Sequence, residues 1–123
     1  MKENQNKISN EYLLSVCHSI TGDCEINENI RNNINEIINI KHPNCKFKIG
    51  RTDNLSERLL NYKDDINVMY PIVFCNNIDL IIVMEEILIK LYQNKYPNRC
   101  KNKQEGGGQN SNKPHQYVYI VIY

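Results

Sequence analysis

The chain has 123 residues, of which 41% are apolar and 24% are charged, and this predicts a single folded domain around one hydrophobic core. No apolar run approaches the roughly 20 residues that a membrane helix needs, so a membrane-spanning segment is excluded. The N-terminal residues are polar and lack the apolar stretch of a secretory signal, and we therefore expect an intracellular protein.

Positive charge is concentrated towards the end of the chain, although the net charge is only +1. Residues 90–123 carry six Lys or Arg side chains against the single acidic residue Glu105. A local excess of positive charge is where a polyanion binds most readily. We therefore expect nucleic-acid phosphates to contact the basic residues of this segment, which are Lys90, Lys95, Arg99, Lys101, Lys103 and Lys113.

The five cysteines contain no C-x-x-C pair, so their spacing does not predict a zinc ribbon. Their odd number and the lack of a signal segment favour thiols over disulfides. Inert thiols are the simplest interpretation, and the alternative is a mixed metal site formed by Cys17, His18 and Cys24.

The first third of the chain predicts a helical hairpin. Asn10 can cap a helix over residues 11–20, although a strand over residues 12–17 competes with it. Isoleucines then recur with a period near 3.6 from Ile26 to Ile38, which predicts an amphipathic helix that ends at residues 41–44.

Three strands and two further helices follow. Residues 46–51 alternate polar and apolar side chains, which indicates a half-buried strand, and Asn54 can cap the helix after it. Val68–Cys75 favours a strand, but Pro71 cannot donate to a ladder, so we expect it at the sheet edge. Ile78–Lys95 predicts a long helix. Residues 117–123 are apolar on both faces, as in a central strand.

These elements predict an α+β fold, with a small three-stranded antiparallel sheet flanked by helices and an N-terminal helical hairpin over one side. We divide the single domain into a helical extension (1–44), a core (45–95), a basic glycine-containing loop (96–115) and a C-terminal strand (116–123) that completes the sheet.

Glu85 falls at the centre of the apolar stripe of the Ile78–Lys95 helix, whereas Glu86 faces the solvent side. A carboxylate in an apolar stripe is costly unless it is paired or binds a cation. We therefore expect either a pair with an arginine or a role as a metal ligand or acid–base group.

Arg58 lies at the edge of the buried face of the preceding helix. Its guanidinium can bind two phosphate oxygens, or it can form a salt bridge with Glu85. An arginine beside a metal-binding glutamate suits phosphodiester hydrolysis, because one group holds the cation and the other neutralises charge on the phosphate.

Residues 48–59, K-I-G-R-T-D-N-L-S-E-R-L, resemble the second half of the signature of the GIY-YIG nucleases. In that family a strand ending in a Y-I-G-like tripeptide leads into a helix, and an arginine follows eight residues after the glycine, as Arg58 follows Gly50. A strand and a helix with a metal-binding glutamate come next, and Val68–Cys75 and Glu85 match them. The K-I-G-R-T variant resembles a branch found in phages and large DNA viruses, which implies the cytoplasm of a host or its viral replication site.

Two features depart from the family pattern. Lys48 occupies the position of the second tyrosine, and it could act as a base only if its pKa fell well below about 10. No G-I-Y-like strand directly precedes residues 46–51, and the closest match is the strand that contains Tyr119. The resemblance is therefore to a circularly permuted arrangement, or to one in which residues 12–17 form the first strand and residues 26–40 are an insertion.

The resemblance implies a DNA endonuclease that hydrolyses phosphodiester bonds with Mg²⁺ or Mn²⁺. Glu85 would hold the metal, Arg58 would steady the scissile phosphate, and Tyr119 would position or deprotonate the attacking water beside Lys48. Arg51 is a further candidate contact to DNA. A chain of this size leaves little room for a module that reads DNA sequence, so we expect weak specificity or a partner protein that supplies the target. The alternative is a catalytically inactive module of the same fold that binds nucleic acid or protein.

Overall fold

The computed structural model describes residues 7–15, 28–102 and 113–123. In these residues an α+β fold is built on one mixed sheet with the strand order β1-β3-β4-β2. The elements in chain order are β1 (Leu14–Ser15), α1 (Glu28–Glu36), β2 (Phe47–Thr52), α2 (Leu55–Tyr62), β3 (Val68–Cys75), α3 (Ile78–Lys95) and β4 (Gln116–Ile122). None of the described helices has the length and apolar character needed to cross a membrane.

Strand β4 lies between β2 and β3 and is antiparallel to both. The prediction of a central C-terminal strand is therefore confirmed, and the physical reason is that both of its faces are apolar and buried. The register places Tyr119 opposite Gly50 of β2 and opposite Pro71 of β3. The strand beside the K-I-G segment is thus β4, whereas β1 lies at the far edge of the sheet.

The predicted three-stranded antiparallel sheet is incomplete, because β1 adds a fourth strand that is parallel to β3. Strand β3 is consequently not an edge strand, and that prediction is wrong. Its outer side meets Ile8 at Met69 and meets β1 at Val73 and Phe74. These contacts fall on either side of Pro71, and the ladder to β4 is irregular between Pro71 and Val73. Because proline has no backbone N–H to donate, it is tolerated inside a sheet where the ladder of hydrogen bonds is irregular, as it is here.

The helix predicted over residues 11–20 is wrong for its described part, because residues 11 and 12 form a turn and Leu14–Ser15 is a strand. The competing prediction of a strand over residues 12–17 is confirmed for these two residues. The predicted helical hairpin therefore lacks its first helix across residues 11–15, and residues 16–27 lie outside the described residues. Pairing with β3 has overridden the local helical periodicity.

The isoleucine stripe forms α1 and continues through a π-helical turn at Ile37–Lys41. The His42 N–H donates to the Ile37 carbonyl over 2.9 Å, which closes this wider turn. Ile30, Ile34, Ile37 and Ile38 are all buried, so the predicted packing face is confirmed. The predicted end of the helix at residues 41–44 is also confirmed.

The sheet has two covered faces. On the α3 face, helices α3 and α1 pack over the main core, which includes Ile49, Val118 and Ile120. On the α2 face, a smaller cluster surrounds helix α2 and is formed by Leu59, Ile66, Met69, Tyr119 and Val121. Successive strand residues alternate between these faces, so neighbours such as Val118 and Tyr119 point in opposite directions.

Candidate active site

Glu85 is 1% exposed on the buried side of α3, and Glu86 beside it is exposed. The prediction that Glu85 lies in the apolar stripe is therefore confirmed. Asn77 caps this helix, since its side-chain oxygen accepts from the Leu80 N–H over 3.1 Å. The cap fixes where α3 begins and so which residues face the sheet. A buried carboxylate in this position must be explained by its partners.

Arg51 of β2 is the partner of Glu85. Its Nε lies 3.3 Å from Glu85 Oε1, and both side chains are buried, at 10% and 2% exposure. Arg51 Nη1 also donates to Gln116 Oε1 over 2.8 Å. Glu85 Oε2 has no hydrogen-bond partner among the described residues. One oxygen of the carboxylate is thus tied to β2, and the other is a buried acceptor that remains unsatisfied.

Burial raises the pKa of the Glu85 carboxyl above its ordinary value, and the charge of Glu86 acts in the same direction. The guanidinium groups of Arg51 and Arg58 oppose this shift in pKa. Arg58 therefore lies near enough to Glu85 to act on its charge, although Arg51 forms the salt bridge. Of the two roles predicted for Glu85, the structure provides the arginine pair and leaves one oxygen for a further ligand.

Two tyrosine hydroxyls meet on the α2 face. The hydroxyl oxygens of Tyr62 and Tyr119 are 2.8 Å apart, and their rings meet edge to face at a centroid distance of 6.2 Å. Gly50 is essential to this contact, because a Cβ atom there would lie 2.5 Å from the Tyr119 hydroxyl. The glycine of the K-I-G segment therefore makes room for the tyrosine of β4.

Burial raises the pKa of both phenols, and the nearby charge of Arg58 opposes that shift. Both are therefore protonated at neutral pH. One hydroxyl donates to the other, and the proton of the accepting hydroxyl remains for a further acceptor. The pair can thus orient a water molecule or a phosphate oxygen, which favours the positioning role of Tyr119 over deprotonation.

Arg58 lies one helical turn before Tyr62 on α2, so the two side chains share one side of the helix. The Asn54 side chain caps this helix by accepting from the Glu57 N–H over 3.0 Å, as predicted. Lys48 reaches the same region, since its Nζ lies 5.9 Å from the centre of the Tyr62 ring. We refer to five residues as the candidate cluster, and these are Arg51, Arg58, Tyr62, Glu85 and Tyr119.

The basic residues predicted to contact nucleic acid are not gathered at one place. Lys90 and Lys95 are exposed on α3, and Lys101 is exposed with its Nζ 3.8 Å from the centre of the Tyr123 ring. Lys113 is exposed and lies 3.4 Å from Asp53, just past the end of β2. Lys103 lies outside the described residues.

Arg99 and Arg51 are engaged inside the protein. The Arg99 guanidinium donates to the carbonyl oxygens of Ile38, His42 and Cys45 at 2.5–3.1 Å, which joins the end of the π-helical turn to the segment after α3. Arg51 is only 8% exposed and binds Glu85 and Gln116. In this conformation, the charges of both arginines are directed towards protein oxygens.

Two members of the polar network were missed by the sequence reasoning. Tyr62 is not among the predicted site residues, although its spacing of four residues from Arg58 could have indicated a shared site. Gln116, at the start of β4, is wholly buried and binds Arg51, and a lone glutamine beside an apolar strand gave no such signal.

Within the candidate cluster, Glu85 offers one carboxylate for a divalent metal. The described residues contain no group of three or more His, Cys, Asp or Glu side chains suited to a metal ion. Cys45, Cys75 and Cys100 are thiols, and the alternative site at Cys17, His18 and Cys24 lies outside the described residues. Mg²⁺ is commonly held by one or two carboxylates, waters and substrate phosphates, and the unsatisfied Glu85 Oε2 fits that kind of site.

Comparison with known proteins identified no matching family model, no matching curated protein and no matching solved structure.

Proposed function

We propose that the protein is a DNA endonuclease that uses a divalent metal ion to hydrolyse phosphodiester bonds. The observation that carries the proposal is the unsatisfied oxygen of the buried Glu85, which lies within electrostatic reach of Arg58 and of the Tyr62–Tyr119 pair. A carboxylate, an arginine and a positioned hydroxyl are the groups that hydrolysis of a phosphodiester requires.

In this proposal Glu85 Oε2 would hold Mg²⁺ or Mn²⁺, while Oε1 stays on Arg51. The bound ion would supply Lewis-acid activation of the phosphodiester and stabilise the leaving oxygen. Arg51 is a positioning residue, because its two contacts, to Glu85 and to Gln116, fix the carboxylate against the end of the sheet. Its assignment as a contact to DNA is replaced by this role.

Arg58 would neutralise the charge that develops on the phosphate, since its guanidinium is close enough to lower the pKa of Glu85, Tyr62 and Tyr119 against the effect of burial. The protonated Tyr62–Tyr119 pair would orient the attacking water through the hydroxyl proton that the pair does not share. Lys48, above the Tyr62 ring, would contact a neighbouring phosphate oxygen.

The resemblance to GIY-YIG nucleases supports the same proposal, in the permuted arrangement in which β4 supplies the tyrosine. Strand β4 is the neighbour of β2, and Tyr119 is opposite Gly50. We propose that Lys90, Lys95, Lys101 and Lys113 add backbone contacts with DNA, together with Lys103. A partner protein would supply target specificity.

The second candidate is a non-catalytic module that binds nucleic acid or protein. The burial of the site favours it, since Glu85 and Tyr119 are each 1% exposed. The direct salt bridge to Arg51 favours it as well, because that pair satisfies half of the carboxylate without any ligand.

A nicking assay on supercoiled plasmid separates the two candidates. The wild-type protein should nick the plasmid with Mn²⁺ or Mg²⁺, and a chelator should abolish nicking. Glu85→Gln keeps the size of the side chain but removes its charge, and we expect at least about a 100-fold loss of rate. Glu86→Gln is the matched control on the exposed side of the same helix and should keep the wild-type rate.

Equal rates for the wild-type and Glu85→Gln proteins would reject the catalytic assignment. No nicking by either protein, with both folded by circular dichroism, would favour the binding module.

A further inference from the structure

Three aromatic side chains form a partly open cluster at the end of the sheet where β4 begins. Phe74 and Tyr117 are opposite each other in the register of β3 and β4, and their ring centroids are 4.9 Å apart. The exposed His115 ring is parallel to that of Phe74 within 3°, at a centroid distance of 6.1 Å. We refer to Phe74, His115 and Tyr117 as the aromatic platform.

The aromatic platform lies on the α2 face, next to Tyr119 of the candidate cluster. Tyr117 is two residues before Tyr119 on β4, so both side chains point to the same side of the sheet. The hydrophobic cluster around α2 includes Tyr119 but neither Phe74 nor Tyr117. Both of these rings are half-buried, whereas Tyr119 is 1% exposed. The α2 face is therefore accessible to a ligand at the platform.

Charge beside the platform favours a phosphate-bearing ligand. Lys113 precedes His115 by two residues, and its side chain is 77% exposed although its Nζ lies 3.4 Å from the Asp53 carboxylate. Gln116, between His115 and Tyr117, points to the opposite face and binds Arg51 of the candidate cluster. The platform is thus connected to the carboxylate part of the site through Gln116 and Arg51, and to its tyrosine part through Tyr119, which lies two residues after Tyr117 on β4.

We propose that the aromatic platform stacks an unpaired nucleobase, so that the nucleic acid bound by this protein carries a single-stranded segment at the site. This rests on the proposed function, because it places the nucleic acid along β4 towards Tyr119. A base of any sequence offers a flat face for stacking on aromatic rings, and the adjacent Lys113 complements its phosphate. A paired base is not available to such a surface, since both of its faces are stacked within the duplex.

A protein partner is the less suitable occupant. A stable protein interface buries about 800 Å² on each side. The platform has only three side chains, of which Phe74 and Tyr117 are half-buried, so it offers far less area. A single base matches the area that two or three rings present.

The chain contains no tryptophan, which allows a direct test. A Phe74→Trp protein carries a single indole at the platform, and a base that stacks on an indole quenches its fluorescence. We expect saturable quenching on titration with an oligomer of about 12 deoxythymidines, and weaker quenching with a duplex. The buffer contains a chelator, so no cleavage takes place during the titration.

Tyr96→Trp is the matched control, because Tyr96 is a half-buried ring that packs against Tyr92 at the other end of the molecule. Lys95, whose Nζ lies 5.6 Å from the centre of the Tyr96 ring, is one of the proposed backbone contacts, but a backbone contact places no base on the ring. The oligomer should therefore quench this indole much less than the indole of Phe74→Trp. Equal quenching at both positions overturns the proposal. So does an unquenched Phe74→Trp protein, whether anisotropy of a labelled oligomer shows the oligomer bound or not.

A second variant, Tyr117→Leu, tests the proposal if the Phe74→Trp protein does not fold. Tyr117→Leu should bind the oligomer about 10-fold more weakly and bind a duplex as the wild type does. An equal loss for both ligands, or no loss, overturns the proposal. Both tests exclude divalent metal, so they measure stacking independently of nicking. A protein that fails to nick plasmid can still show stacking, and a protein that nicks can fail to show it, so the two proposals fail separately.

Discussion

Two regions of the molecule arrange charged groups around tyrosine hydroxyls, and they differ in what is left unsatisfied. The first, which we call the clasp, comprises Glu11, Tyr12, Glu36, Lys41, His42 and Tyr70. There the Tyr12 hydroxyl donates to Glu36, Lys41 lies 2.5 Å from Glu11, and His42 and Tyr70 are joined over 2.7 Å. The second is the candidate cluster, in which Glu85 Oε2 is buried without a hydrogen-bond partner among the described residues.

Exposure explains why the two regions must differ in energy. The side chains of Lys41 and Glu11 are 35% and 51% exposed, whereas those of Arg51 and Glu85 are 10% and 2% exposed. The exposed side chains of Lys41 and Glu11 are accessible to solvent for further hydrogen bonds, whereas the buried side chains of Arg51 and Glu85 must find their partners within the protein. A buried, half-satisfied carboxylate destabilises the fold unless a ligand completes it, and such groups often mark functional sites. The clasp is therefore a structural connection between the N-terminal segment and α1.

The largest expected effect comes from breaking the buried pair. Arg51→Met leaves Glu85 without its cation in an apolar environment, and we expect a loss of about 3–5 kcal/mol in the free energy of unfolding. Lys41→Met in the clasp removes the same kind of charge from a solvated pair and should have a much smaller effect. Urea denaturation of the two variants measures the difference. Similar losses in both would show that burial does not separate the regions.

A double substitution sharpens this comparison. Arg51→Met with Glu85→Leu replaces both charges with apolar side chains of similar size, and such replacements are often neutral or stabilising. We expect the double variant to recover most of the stability that Arg51→Met loses, in the same urea experiment. A double variant less stable than Arg51→Met would contradict the account of the pair as an ionic interaction.

An intermediate effect is expected at Gly50. The methyl group of Gly50→Ala would lie 2.5 Å from the Tyr119 hydroxyl, so the ring must move and its bond to Tyr62 must break. We expect a loss of about 1–3 kcal/mol, as for other overpacked sites. Ser56→Ala, on the exposed side of α2, is the control and should change stability little. Wild-type stability of Gly50→Ala in urea denaturation would mean that Tyr119 is not confined as described.

The smallest expected effect is on the pH dependence of stability, which should have opposite signs for Glu85 in the candidate cluster and His42 in the clasp. Burial raises the pKa of Glu85 above about 4.5, so its contribution to stability is complete below that pH and is lost as the pH rises through the raised pKa. Burial and Lys41 lower the pKa of His42 below about 6.5, so its contribution is present above that pH and is lost as the pH falls through the lowered pKa.

Unfolding of the wild-type, Glu85→Gln and His42→Asn proteins across this pH range, in a chelating buffer, measures both trends. The wild type should lose stability relative to Glu85→Gln as the pH rises, and relative to His42→Asn as it falls. If the free energy of unfolding of each variant changed with pH in parallel with that of the wild type, the assigned pKa shifts of Glu85 and His42 would be contradicted.

The elements whose signals are local were predicted well. The boundaries of β3 and α3 match the predicted ranges, and those of β4 match within one residue, because apolar runs, caps and helical periodicity are properties of short segments. Glu85 could be identified for the same reason, since a carboxylate in an apolar stripe is visible in one helix.

The features that depend on distant parts of the chain were predicted less well. Strand β1 was only the competing interpretation of residues 12–17, because the edge of β3 with which it pairs cannot be recognised from those residues. The partner of Glu85 is Arg51 rather than Arg58, and this depends on how α3 lies across β2. The contact between Tyr62 and Tyr119 joins residues 57 positions apart and depends on the small size of Gly50.

The most direct test of the central claim is plasmid nicking by the double variant, Arg51→Met with Glu85→Leu, in Mn²⁺. If the buried pair serves catalysis, this variant should be folded and nearly as stable as the wild type, yet nick at no measurable rate. If it nicks at the wild-type rate, Glu85 holds no metal that the reaction needs and the pair is only a structural connection.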